Sequence, residues 1–322
     1  MKELLRIEDL HVVYLTHRGK VHAINGANLL LNRGEFLGLV GETGCGKSTL
    51  GLSIVKLLDQ SARIEKGSIL FNGKSVLDLN DNEIREFRRR EVSMIFQDPT
   101  AALNPVYKIG EQITEVFINS KGMNKKEALQ ESENLLRYLG VPSPHNVLRM
   151  YPHELSGGMR QRAMIAIALA KDPLLLIADE PTSNLDVTIQ AQILELMARL
   201  KERINMSMLL ITHDVGIVAQ VCDKIAIMYA GQVIEFGDVK CVFKEPTHPY
   251  TQGLLKVANF AGEKGKLETI PGSIPNLINP PKGCLFSPRC PYAFNRCFRE
   301  RPTLLKTKID SLASCWLVEE GA

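Results

Sequence analysis

The order of apolar and polar positions divides the chain into three textures. Over residues 4–40, short apolar runs separated by turn residues predict strands at Leu10–Tyr14, Ala27–Leu31 and Glu35–Val40, with Asn32-Arg-Gly34 turning the chain between the second and third. A helix is predicted from Lys47 to about Leu58, then a strand at Ser68–Phe71 that ends at the hairpin pair Asn72-Gly73. A charged helix at Glu83–Glu91 and a strand at Val92–Phe96, stopped by Gln97-Asp-Pro99, complete this part. From about residue 108 to 171 the pattern is helical: Lys125–Leu139 carries apolar residues at helical spacing, and Met159–Ala170 is rich in small residues. Strand and helix then alternate through Leu174–Ala178, Ile189–Ile204, Met208–Thr212, Val215–Val221 and Ile225–Tyr229. Such alternation predicts an α/β fold with a mostly parallel sheet and helices on both faces, into which the middle segment is a helical insert. Past about residue 245 the texture changes again: Pro246-Thr-His-Pro249 breaks the chain, a short helix follows to Val257, and Pro271–Gly283, with four prolines and two glycines, reads as an extended connector.

Composition adds exclusions. At 322 residues, 45% apolar and 23% charged, the chain has the make-up of a globular protein with a large core. A net charge of +3 is too small to argue for nucleic acid or an anionic membrane surface. Charges interrupt the first ten residues, so they do not form a signal peptide, and apolar runs such as Leu174–Ala178 are far short of a membrane span. The expectation is a soluble, cytoplasmic protein. Of seven cysteines, Cys284, Cys290, Cys297 and Cys315 crowd the last 40 residues, which in a cytosolic chain points to metal more than to disulfides. Cys222 and Cys241 carry no such signal and are expected to be inert.

Three segments carry chemistry. Residues 41–49, Gly-Glu-Thr-Gly-Cys-Gly-Lys-Ser-Thr, form a G-x-x-x-x-G-K-[ST] loop between a predicted strand and a predicted helix. Its glycines let backbone N–H groups face phosphate oxygens, Lys47 reaches the β- and γ-phosphates, and the Ser48 hydroxyl is offered to Mg²⁺. The helix start adds its positive end to the same place. Cys45 sits within this loop, where exposure of its thiol makes it an expected alkylation target. The run Leu174-Leu-Leu-Ile-Ala178 ends in Asp179-Glu180: the first acid is placed to hold Mg²⁺, and the second to polarise a water for attack on the γ-phosphate. Leu155-Ser-Gly-Gly-Met159 precedes a helix and offers a second anion nest at Ser156, Gly157 and Gly158. Two phosphate-binding elements with a single loop lysine suggest two chains closing head-to-tail over shared nucleotides.

These motifs together resemble the ATP-binding-cassette transporter ATPases. The likeness covers residues 4–245 and has the phosphate loop, Gln97 after a strand, Leu-Ser-Gly-Gly at 155–158 and Asp179-Glu180 in the family's order, followed by Ser183-Asn-Leu-Asp186 and by His213 after a strand. The resemblance implies a P-loop NTPase cassette: a RecA-like parallel sheet core, an antiparallel β subdomain and an inserted helical subdomain at about 98–171, with a small irregular extension at 246–322. By the same resemblance Gly41, Thr43, Gly44, Cys45, Gly46, Lys47, Ser48 and Thr49 bind the nucleotide from one chain, with Ser156, Gly157 and Gly158 serving the nucleotide of the partner, and Asp186, in the D-loop, is a further nucleotide-binding residue. Tyr14 stacks on adenine, Ser48, Gln97 and Asp179 serve Mg²⁺, Glu180 is the catalytic base, and His213 contacts the γ-phosphate.

The tail narrows the likeness. Pro246-Thr-His-Pro-Tyr-Thr-Gln-Gly-Leu-Leu255 and the cysteine run from Gly283 to Cys297 resemble the dipeptide and oligopeptide importer ATPases, as do Gln97–Pro105 and Leu155–Arg162. The implied function is ATP hydrolysis at the cytoplasmic face of the membrane, driving peptide import through two membrane permease subunits supplied by an extracytoplasmic binding protein. A second, related ATPase completes the pair as a heterodimer, with a homodimer possible in isolation. Relatives of this branch also carry nickel or oligosaccharides; a soluble cassette acting on nucleic acid and an ATP-using metal sensor are the rivals from other classes. The cysteine spacings C-x5-C, C-x6-C and C-x17-C contain no C-x-x-C, so a zinc finger or ribbon fits poorly, whereas four thiolates can hold one cubane cluster as well as one Zn²⁺. The resemblance favours a [4Fe–4S] cluster at Cys284, Cys290, Cys297 and Cys315, with Arg289, Arg296 and Arg299 expected to offset the charge of its thiolates and Phe286, Tyr292, Phe294 and Trp316 expected to shield it.

Overall fold

The structure, a computed structural model, describes residues 2–98, 102–183, 186–203, 206–259, 270–309 and 311–319. The chain forms two compact units, one made of Met1–Asp78 with Leu210–Ala322 and the other of Leu79–Leu209. The segment after residue 245 therefore belongs to the same unit as the N-terminal strands.

In the first unit, β1 (Glu3–Thr16) and β2 (Gly19–Asn32) form a long antiparallel hairpin, and β1 pairs on its other edge with β4 (Ala62–Phe71), which turns into β5 (Lys74–Ser75). The Asn72-Gly73 turn is as expected, both residues having positive φ (50° and 80°) as a tight hairpin requires. A second sheet begins with β3 (Phe36–Val40), every residue of which is buried; it pairs in parallel with β9 (Lys224–Tyr229). An unbroken apolar run of this kind is what a strand covered on both faces needs. Between β3 and β4 lies α1 (Lys47–Ile54), four residues shorter at its end than the sequence predicts, because Lys56 turns left-handed (φ 51°). α7 (Val215–Val221) packs against β3, and Gly38 makes room for it: a Cβ there would lie 2.4 Å from Val218.

The sheet continues antiparallel through β10 (Gln232–Asp238), β12 (Leu312–Ala313) and β11 (Leu305–Lys306), so it is mixed rather than parallel in this unit. β10 escapes sequence reading because Glu235 interrupts its apolar run. The carboxylate is nevertheless fully buried, accepting the N–H groups of Thr247 and His248 at 2.7 and 2.9 Å. α8 (Val239–Lys244), α9 (Pro249–Asn259) and α10 (Asn295–Arg299) complete the unit.

The second unit contains α2 (Asp81–Arg90), β6 (Val92–Ile95), α3 (Ile109–Lys121), α4 (Lys125–Tyr138), α5 (Gly157–Leu169), β7 (Leu175–Asp179) and α6 (Val187–Arg203). β6 and β7 pair in parallel from Val92 against Leu175 to Ile95 against Ala178. α2 and α4 begin with full capping boxes, Asn80 with Glu83 and Asn124 with Glu127. α3 opens the helical stretch expected from about residue 108; its buried stripe Ile109, Ile113 and Phe117 is short, and it meets α4 through a buried hydroxyl pair, Thr114 and Ser132 at 3.3 Å. β8 (Ser207–Thr212) spans the sequence boundary of the two units.

Candidate functional site

The first unit holds the glycine loop between β3 and α1. Close approach fixes its two ends: a Cβ on Gly41 would lie 2.1 Å from the Met228 carbonyl, and one on Gly46 (φ 103°) 2.4 Å from the Ala23 carbonyl. Gly44 (φ 83°) instead faces open space, as a position next to a ligand would. The buried Lys47 ammonium folds back over the loop, donating to the Gly41 and Glu42 carbonyls at 2.8 and 3.1 Å. Thr43 and Ser48 are exposed, while Thr49 is half-buried with its hydroxyl 3.3 Å from that of Tyr14 on β1. His213 follows β8 and is exposed; Asp214 beside it caps α7, accepting the Gly216 and Ile217 N–H groups at 2.7 and 3.3 Å.

Cys45 is not the reactive thiol expected from its place in the loop. It is fully buried, and burial holds its thiol above the ordinary range despite the nearby Lys47.

The second unit holds the acidic pair. Asp179 ends β7 and is buried, whereas Glu180, half-buried, leaves the strand in left-handed backbone (φ 45°). The Gln97 amide donates to Glu180 Oε2 at 2.9 Å, so two residues 83 apart in sequence meet at the ends of neighbouring strands. The Ser183 hydroxyl and the Gln161 amide hold the backbone here, donating to the carbonyls of Glu180 (3.1 Å) and Pro181 (2.6 Å). Left-handed backbone in a bulky acid is costly and is typical of functional positions. Ser156 caps α5, accepting the Met159 N–H at 3.3 Å; Gly157 faces open space and Gly158 lies close to Ile189. Asp186 caps α6 through the Ile189 N–H at 2.9 Å, while Asn184 and Leu185 of the same motif lie outside the described residues, as do residues 99–101 of the motif that follows Gln97.

The cysteine run folds back within the first unit. The Cys284 N–H donates to the Cys297 carbonyl at 2.8 Å, and Gly283 has no room for a side chain, a Cβ lying 2.2 Å from that carbonyl. Burial raises the Cys290 thiol and pushes those of Cys284 and Cys315 up to about 11 and about 12, and the neighbouring thiols add to each shift. The four are near enough to feel one another's charge, yet among the described residues no three His, Cys, Asp or Glu side chains stand at metal-ligating spacing. The expected charge partners are engaged elsewhere: Arg289 with Glu42, and Arg296 with Glu300 and Glu319 while lying 3.4 Å over the Trp316 ring. Arg301, which sequence reading missed, lies near enough for its guanidinium to feel Cys284, though burial dominates and lowers it; it donates to the Pro281 carbonyl at 2.9 Å. Phe286 and Trp316 are buried, but Tyr292 is 58% exposed and so shields little.

Among the described residues no helix is long and apolar enough to cross a membrane. The ABC transporter family profile matches residues 24–183, and the profile for the C-terminal region of oligopeptide/dipeptide transporters matches residues 234–297. The oligopeptide transport ATP-binding protein AppD of Bacillus subtilis is 48% identical over 322 residues, covering 99% of this chain and 98% of the relative. OppD of Salmonella typhimurium, with the same descriptive name, is 48% identical over 300 residues, 93% of this chain and 89% of the relative. Among solved structures, the dimeric post-hydrolysis state of the ATP-binding cassette MJ0796 bound to ADP and Pi superposes with a TM-score of 0.66 at 26% identity, over 73% of this chain and 98% of that one.

Proposed function

Because the chain belongs to the ATP-binding-cassette transporter family, in its oligopeptide and dipeptide branch, we propose that it hydrolyses ATP to power the import of peptides through a membrane transporter. The observation that carries the reading is the glycine loop with Lys47 held over it, open at Gly44 to receive phosphates. Lys47 exchanges its bonds to the Gly41 and Glu42 carbonyls for bonds to the β- and γ-phosphates, while the loop N–H groups and the start of α1 take up the remaining charge. Tyr14, its hydroxyl 3.3 Å from that of Thr49 at the loop's end, is the residue assigned to stack on adenine. Ser48, Gln97 and Asp179 are the oxygen donors for Mg²⁺, which when bound neutralises charge developing on the phosphates. Glu180 orients the attacking water and accepts its proton, with Gln97 holding the carboxylate in place. His213 contacts the γ-phosphate. Ser156, Gly157 and Gly158 serve a nucleotide bound to a partner cassette, and Asp186 is a further nucleotide-binding residue.

The working assembly pairs this chain with a second, related ATPase on the cytoplasmic face of two permease subunits, fed by an external binding protein; alone it can pair with itself. Residues 1–245 make the cassette, with its helical subdomain at about 98–171, and 246–322 the extension. Cys284, Cys290, Cys297 and Cys315 suit a [4Fe–4S] cluster in number and kind; Cys297 and Cys315 are buried and Cys284 and Cys290 half-buried, and ligation requires these side chains to close up, since among the described residues no three stand at ligating spacing. When bound, such a cluster supplies a staple and a one-electron couple. The reading is tested by phosphate release from purified chain and its Lys47→Ala variant. Turnover by the native chain that is lost in the variant supports it; equal turnover overturns it.

A further inference from the structure

Glu42 places a carboxylate inside a loop whose proposed task is to receive a polyanion, which ought to weaken binding by like-charge repulsion. The structure offers a remedy from the far end of the chain. The Arg289 side chain, 5% exposed, points its Nη1 at both Glu42 oxygens, 3.1 Å from each, and at the Tyr229 hydroxyl at 3.4 Å. Its remaining donors are used as well: Nε reaches the Pro271 carbonyl at 2.8 Å and Nη2 the Ile270 carbonyl at 3.1 Å. Such a fork cannot be reproduced by an ammonium group. Glu42 is also held by its backbone, its N–H donating to the buried Tyr250 hydroxyl at 3.1 Å. Both outside partners of this loop residue, Tyr250 and Arg289, thus come from the segment after residue 245.

We propose that Arg289 is a positioning residue for nucleotide binding, cancelling the Glu42 charge and fixing that side chain away from the phosphates. The inference rests on the reading of residues 41–49 as the nucleotide loop. It gives the C-terminal segment a direct line to that loop, through an arginine set between Cys284 and Cys290.

The test is the affinity for a fluorescent ATP analogue, measured on the full chain and on Arg289→Ala, Arg289→Lys, Glu42→Gln, the Arg289→Ala/Glu42→Gln double variant and Lys47→Ala. Arg289→Ala should weaken binding about tenfold, as loss of one charge-assisted contact implies. Arg289→Lys should fall between it and the native chain. The double variant should recover most of the loss, because no carboxylate remains to repel the phosphates. At saturating ATP the hydrolysis rate of Arg289→Ala should stay near native, the defect appearing in KM. If Arg289 merely braced its own segment through Ile270 and Pro271, removing the Glu42 charge would restore nothing, and that result overturns the proposal. So does native affinity in Arg289→Ala. If Lys47→Ala also binds like the native chain, the loop reading falls with it; if Lys47→Ala loses binding and Arg289→Ala does not, the tether alone falls.

Discussion

Replacing Glu180 separates a chemical role from a conformational one. Its backbone is left-handed at φ 45°, a region that costs a residue with a Cβ about 1–2 kcal/mol and glycine almost nothing. Glu180→Ala and Glu180→Gly both delete the carboxylate and the bond from Gln97, so the difference between them isolates the backbone. Glycine regains the left-handed cost but carries about 0.5–1 kcal/mol more chain entropy in the unfolded state. The net expectation is that Gly is more stable than Ala by roughly 0.5–1 kcal/mol, the reverse of the order at ordinary helix or strand positions. Urea unfolding of the two variants measures this directly. Glu180→Gln keeps an oxygen able to accept from Gln97, so it should match native stability and ATP affinity while phosphate release falls by about 10²–10⁴, the range for loss of a general base. A Gly variant less stable than Ala would refute the strain argument, and native turnover in the Gln variant would refute the catalytic one.

Other consequences follow from buried groups and from the tail. His248 is 1% exposed, and burial lowers its imidazole from 6.5 to about 3, so the folded chain binds one proton fewer than the unfolded chain between those values. Its contribution is fully present above pH 6.5 and is lost as pH falls toward about 3. His248→Asn should flatten the stability slope across that window by up to about 1.4 kcal/mol per pH unit, read from urea midpoints at successive pH values. Cys45, buried and with a raised thiol, should resist N-ethylmaleimide in the folded chain and react on unfolding, as mass spectrometry of the loop peptide would record. Anaerobically purified chain should carry about four irons and four sulfides, lost in a Cys284→Ser/Cys290→Ser variant; one zinc without colour, or no metal, would contradict the cluster.

Sequence pattern located the buried strands well where burial is two-sided: Phe36–Val40 and Leu175–Asp179 are continuous apolar runs, and nothing else fits such runs flanked by a glycine loop or an acidic pair. Val215–Val221 was legible to the residue because Asp214 caps it. The misses share a cause, which is that long-range partners decide them. β1 and β2 extend well past their apolar centres because they pair with each other, through several register shifts, out to Thr16 and Gly19. β10 exists because Thr247 and His248 satisfy a buried carboxylate that local pattern reads as a break. In the candidate site the residue types in the motifs named Lys47, Asp179 and Glu180, while the Gln97–Glu180 bond joins segments 83 apart. The role of Arg289 was misread for the same reason, its nearest thiols being local and its actual partner, Glu42, lying 247 residues away.

The most direct test of the central claim is uptake of a labelled oligopeptide into vesicles carrying the assembled transporter, comparing the native chain with Glu180→Gln. The account requires ATP-dependent accumulation with the native chain and none above background with the variant, although the variant still binds ATP. Accumulation that persists undiminished with Glu180→Gln, or ATP hydrolysis by the native assembly with no peptide moved, would contradict it.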